Sequence, residues 1–171
     1  MEKIKILIYA LLTLGMLIAL FLVYEHFSTS ASQFCSFSNS FDCGIVNKSP
    51  YANLDGISYL LTIDLGLNLP LLDIRGVNWF FDLITSNAFL GFLTLLLLLI
   101  MFHFYRTNKD LLFIKKNKLK SWMIGIFIFS LVYGFYLFLI QHFILKTYCI
   151  FCFGLDFVII LSFILILKLD R

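Results

Sequence analysis

The chain has 171 residues, 61% of them hydrophobic, and 13 lysines and arginines against 10 acidic residues give it a net charge of +3. So apolar a composition reads as a small polytopic membrane protein rather than a water-soluble domain. The positive balance is a topology signal, which sets aside a nucleic-acid role for the basic run 115–120.

Four apolar runs follow one another at about 4–24, 88–105, 122–140 and 150–167. Each has about the 18 to 20 residues that a helix needs to cross the hydrocarbon. The first begins like a secretory signal, with Lys3, Lys5 and later the small residues STSAS, but it is too long and three more spans follow, so it reads as a retained helix. Backbone groups in lipid must be satisfied internally. The expected fold is therefore an all-α membrane protein, a four-transmembrane-helix bundle forming a single domain over 1–171. A long extracytoplasmic loop, about 25–82, joins helices 1 and 2.

That loop carries the first cysteine pair, Cys35 and Cys43, in CSFSNSFDC. On one straight helix their Cα atoms would stand about 12 Å apart, beyond the roughly 7 Å that a disulfide spans, so a bridged loop must be bent. A permanent staple and a redox-active pair are both open at this point. Further along, Gly56–Leu72 is apolar enough to suggest a crossing, but Asp64, Asn68 and Pro70 interrupt it. It is expected to form helices lying at the membrane surface, with Trp79, Phe80 and Phe81 as interfacial anchors. Arg75 and the acids Asp55, Asp64, Asp73 and Asp82 are expected to form a solvated rim. His26, His103 and His142, all near membrane boundaries, read as interfacial rather than catalytic.

Lysine and arginine are retained on the cytoplasmic side. With both termini inside, ten of the 13 basic residues are cytoplasmic and only Lys48, Arg75 and Lys146 lie outside. All four cysteines, Cys35, Cys43, Cys149 and Cys152, then meet in the oxidising compartment.

The second pair opens the last span in TYCIFC. Positions i and i+3 of a helix lie close enough for a disulfide, and the helix N-terminus stabilises a thiolate, so Cys149 and Cys152 suit a pair that cycles. Half of a zinc site is the usual rival for such spacing, but Cys35 and Cys43 have the wrong separation and no histidine is suitably placed, so no metal is expected. A dithiol at the rim of a bundle is reachable by a membrane-dissolved two-electron carrier, and a quinone fits both electron count and location. No glycine fingerprint for a nicotinamide or flavin is present. Asp156 follows Cys152 by four residues, one turn deeper on the same face, where an ionisable group is a functional candidate as a proton relay or a hydrogen-bond partner of a quinone oxygen.

Taken in order, the first helix, the C-x7-C of CSFSNSFDC, a serine six residues on (Ser49 in CGIVNKSPYA), a central helix pair and the C-x-x-C of TYCIFC resemble the vitamin K epoxide reductase family of four-helix membrane thiol oxidoreductases. The likeness covers most of the chain. It implies that Cys152 faces a quinone, of ubiquinone, menaquinone or vitamin K type, that Cys149 exchanges with Cys43, and that Cys35 passes the disulfide to a partner. It further implies that Ser49 lies beside the quinone ring and that Asn87, at the head of the second helix, hydrogen-bonds a quinone oxygen. Asp156 departs from the family, holding a place often taken by an aromatic residue. The connection between Ser49 and Asn87 is longer than usual, and no thioredoxin-like domain is fused, so a separate thioredoxin-fold protein is the implied partner.

The resulting expectation is a quinone-linked thiol–disulfide oxidoreductase of the plasma membrane that supports disulfide formation in exported proteins, with its active site outside. Two alternatives remain at this stage. One is a vitamin K epoxide or quinone reductase of the endoplasmic reticulum. The other is a claudin-like tetraspan adhesion protein with a stapled loop, which leaves Cys149, Cys152 and Asp156 unexplained.

Overall fold

The computed structural model describes residues 2–28, 36–38, 41–67, 70–71, 78–107, 110 and 114–169. Helix α1 spans Glu2–Phe27, α5 Asn87–Arg106, α6 Lys116–Leu139 and α7 Ile150–Lys168. A wide π-turn, Ile140–Leu145, extends α6. Among the described residues, four helices are long and apolar enough to cross a membrane, and the shortest has 19 residues. At about 1.5 Å per residue it spans roughly 28 Å, close to the hydrocarbon thickness. The expected spans lie inside these helices, and α1 and the third span are longer than expected.

An apolar cluster at one end of the bundle includes Ile8, Leu12, Leu95, Met101, Phe102 and Phe127. Helix α1 packs along both α5 and α7. Gly15 permits this close approach, since a Cβ there would lie 3.1 Å from Leu95 Cδ1 and 3.2 Å from Val158 Cγ1. Large apolar side chains on the outside of the bundle, such as Leu17, Phe129, Val132 and Phe135, are exposed. In a membrane that surface meets lipid tails rather than water.

Between α1 and the second span at Asn87, the described residues of the expected loop 25–82 form short strands and helices rather than an open connection. Helix α1 continues to Phe27, and β1 (Ser36–Ser38) pairs antiparallel with β2 (Phe41–Asp42). Next come α2 (Cys43–Lys48), a 3-10 turn at Pro50–Ala52, α3 (Gly56–Tyr59) with a π-turn at Leu60–Asp64, and α4 (Trp79–Thr85). Of the surface helices expected over Gly56–Leu72, the described residues show helix over Gly56–Tyr59 and Leu60–Asp64. Gly66, at φ +67°, turns the chain out of the helical region, and Pro70 follows. Trp79, Phe80 and Phe81 are exposed on α4, in keeping with interfacial anchors.

The solvated rim is not observed as expected. Asp55 is buried, and Asp82 is clasped from two sides: Asn53 Nδ2 donates to its Oδ1 at 2.6 Å, and His26 Nε2 lies 3.0 Å from the same oxygen. The His26 side chain is itself buried, with its Nδ1 2.6 Å from the Asn47 carbonyl. The end of α1, the end of α2 and α4 are thereby tied together, which a charge count along the chain does not reveal. Asp64 is exposed, and Arg75 and Asp73 lie outside the described residues.

Candidate functional site: a helix-mouth disulfide and its cavity

Cys43 opens α2, whose preceding residue Asp42 caps it by accepting from the Ile45 N–H at 3.0 Å. Phe41 pairs in parallel with Tyr148, and the Asp42 N–H donates to the Tyr148 carbonyl at 3.0 Å. This backbone bridge joins the residue before Cys43 to the residue before Cys149. Both cysteine side chains are fully buried, in one cluster with Leu22, Val46 and Ala88. Cys35 lies outside the described residues, and among the described cysteines none is free.

Cys149 departs from the sequence reading. Rather than sitting inside the helix, it is the N-cap of α7, with extended backbone at φ −102° and ψ 111°. Its sulfur accepts from the Cys152 N–H at 3.1 Å, and a disulfide joins the two residues with their Cα atoms 5.2 Å apart. A cap position aims the sulfur at unpaired helix N–H groups, the environment that favours a thiolate once the bond opens.

The π-turn after α6 brings Gln141 to this mouth, where its Oε1 accepts from the buried Cys149 N–H at 2.9 Å. Widened turns of this kind recur at functional sites. The only sign of Gln141 in the sequence is an uncharged polar residue near the end of an apolar run. Replacing it with leucine leaves a buried amide unpaired, and the expected cost is about 1–3 kcal/mol of stability, read as a lower thermal midpoint of the purified protein.

Cys152 lines a cavity of about 90 Å³ with Ser49, Asn87, Gln141 and Asp156, while neither Cys43 nor Cys149 reaches its wall. A second cavity, of about 340 Å³, adjoins it deeper between α5, α6 and α7, and the two share Asn87, Gly134 and Asp156. Asp156 is on the turn below Cys152, as expected, and makes no hydrogen bond to any described residue. Gly134 makes room for it, since a Cβ there would stand 2.6 Å from Asp156 Oδ1.

Asn87 is the first residue of α5, as its place in the sequence suggests. Its Nδ2 donates to the Tyr51 carbonyl at 2.9 Å, and its Oδ1 accepts from the Tyr133 hydroxyl at 2.7 Å. An amide nitrogen carries two donors, so one N–H remains for a ligand in the cavity. Ser49 is buried and donates to the Val46 carbonyl at 2.8 Å. Tyr51 lines the same wall. Burial first, and then the hydrogen bond from its hydroxyl to Asp64, push its phenol above the ordinary value. Tyr51, Tyr133 and Gln141 were not legible as site residues, because each becomes one only through a fold contact. His142 is exposed at the outer edge of the mouth, with Nδ1 2.7 Å from the Tyr148 hydroxyl, and His103 lies at the opposite end of the bundle, beside Tyr9.

A quinone suits these residues when the two adjoining cavities are taken together, because the space that Cys152 lines, about 90 Å³, is too small for a ring and the larger one meets it at Asn87 and Asp156. The walls are chiefly apolar, the polar groups converge at one end beside a sulfur, and the deeper space exceeds the roughly 150 Å³ that admits a benzene ring. The class defined by fold and site is a four-helix membrane protein with a disulfide at the mouth of its last helix and an apolar cavity behind it. The chain matches the vitamin K epoxide reductase family over residues 6–167, nearly its whole length, and belongs to that family. Its members are membrane thiol–disulfide oxidoreductases linked to quinones. No individual curated protein matches the chain.

Proposed function

We propose that this protein is a quinone-linked thiol–disulfide oxidoreductase that takes electrons from a separate thioredoxin-fold protein through Cys35 and Cys43, then through Cys149 and Cys152, to a membrane quinone. It works as a single domain over 1–171 in the plasma membrane, with cytoplasmic termini and an extracytoplasmic site, and supports disulfide formation in exported proteins. The observation that carries this reading is the division of labour among the sulfurs: Cys152 borders the cavity while Cys43 and Cys149 are buried together behind it. Such an order suits a relay, with one sulfur for the carrier and two for exchange. A stapled adhesion loop requires none of it.

When bound, the quinone supplies a two-electron, two-proton acceptor. Cys152 presents its sulfur to the cavity, and Cys149 closes the disulfide that leaves Cys152 oxidised. Asn87 would orient the ligand through its remaining N–H, Ser49 would line the wall beside it, and Asp156 would hold a proton at its carboxyl one turn below Cys152. The apolar walls exclude water from the exchange. Titration of the reduced, purified protein with a thiol-reactive mass tag tests the reading. Addition of quinone is expected to remove two to four free thiols, and an unchanged count overturns it.

A further inference from the structure

Helix α1 buries one stripe of residues, and the stripe ends on Glu25, after Gly15, Ala19 and Leu22. Glu25 is fully buried, and among the described residues neither of its carboxyl oxygens has a hydrogen-bond partner. Helix α2 lies along this part of α1, because Asn47 Nδ2 donates to the Leu22 carbonyl at 3.4 Å and the Asn47 carbonyl meets His26 Nδ1 at 2.6 Å. Glu25 falls between these two attachment points, at the seam of α1 and α2. Leu22, one turn away, packs in the cluster that holds Cys43 and Cys149. Cys43 and Asn47, four residues apart on α2, share a face. Of the other described acids in this part of the chain, Asp42 caps α2, Asp55 stands at the start of α3, Asp64 accepts from the Tyr51 hydroxyl, Asp82 is held by His26 and Asn53, and Asp156 opens on the cavity.

A dry carboxyl without a partner adds nothing to the fold, and an ionisable group on a membrane helix is a functional candidate. Thiol–disulfide exchange needs such a group, since a thiol must lose its proton to attack and a leaving thiolate must regain one. We propose that Glu25 carries the proton for disulfide transfer between Cys43 and Cys149, an inference that rests on the relay reading above. In the first exchange the Cys43 thiol gives its proton to Glu25. The Cys43 sulfur bonds to that of Cys149, the Cys149–Cys152 bond breaks, and Cys152 leaves as the thiolate with the electron pair. In the second, Cys35, its proton released to the outer water, attacks Cys43. The Cys43–Cys149 bond breaks, and Cys149 leaves by taking the proton back from Glu25. Glu25 ends as it began, and the two electrons have moved from the loop pair to the helix-mouth pair.

The test needs no quinone. Fully oxidised protein is mixed with a reduced thioredoxin-fold dithiol protein, quenched in acid at intervals and mapped with a mass tag, so that reduction of Cys35/Cys43 and of Cys149/Cys152 appear as successive phases. Glu25→Gln, which keeps the shape and loses the acid, is expected to lower the ratio of second-phase to first-phase rate about 100-fold. Glu25→Asp, which keeps the acid and shortens it, recovers part of that loss, and a purely structural role gives the opposite ranking. Glu25→Leu guards against misfolding: with no hydrogen bond to lose, it holds or raises the thermal midpoint while showing the same slow second phase. A second phase in Glu25→Gln as fast as in the parent chain overturns the proposal alone. A parent chain that never passes electrons from the first pair to the second overturns the relay reading and this inference with it.

Discussion

Serine in place of Cys152 is expected to abolish quinone reduction, by on the order of 10⁴-fold or more, as removal of a covalent nucleophile does elsewhere. Cys152 is the described cysteine that lines the cavity, so no other described thiol can take its place at the carrier. The Cys152→Ser change keeps the α7 backbone and its bond from the residue 152 N–H to the Cys149 sulfur, so the loss is chemical rather than structural. Cys35→Ser should behave in the opposite way. Turnover with a small membrane-permeant dithiol, which can reach the helix-mouth disulfide directly, survives, whereas turnover with a thioredoxin-fold protein stops. Quinone absorbance followed with each reductant in turn separates the two variants. Quinone reduction left intact in Cys152→Ser sinks the electron path proposed here.

The order of events at this end of the molecule was partly legible in the sequence. Run lengths located four spans, and the residue types around TYCIFC pointed to the helix-mouth cysteine pair, because burial in lipid and sulfur spacing are both properties of short stretches. What could not be read was set by contacts between distant stretches. The bridge from Asp42 to Tyr148 lies more than a hundred positions along the chain, and it fixes Cys43 beside Cys149. Cys149 was expected inside the helix on spacing alone, yet it caps it, since its own N–H is taken by Gln141 from the preceding π-turn. The acids between the first two spans are expected to be solvated because polar residues in a loop usually are. Asp82 instead serves as the common acceptor of His26 and Asn53, a role that appears only when α4 docks on the end of α1.

Asp156 gives the second large effect. Asn at this position keeps the size and removes the acid, and it is expected to slow quinone reduction about 10²-fold, the usual contribution of a positioned proton donor, while electron transfer between the two cysteine pairs proceeds. Gly134→Ala provides the geometric counterpart. Its Cβ would fall 2.6 Å from Asp156 Oδ1, and that atom is the free end of a side chain rather than backbone, so the carboxyl swings aside and the helices stay in place. Displacement of a catalytic group by about 1 Å can cost up to 10²-fold, so Gly134→Ala is expected to lose about 10-fold or more in kcat/KM with little change in thermal midpoint. If both changes act through the same proton, their effects do not add: Gly134→Ala placed on Asp156→Asn should lower the rate little further. Independent, multiplying losses in the double variant show instead that Gly134 shapes the cavity for the ligand and that Asp156 is a polar contact between helices.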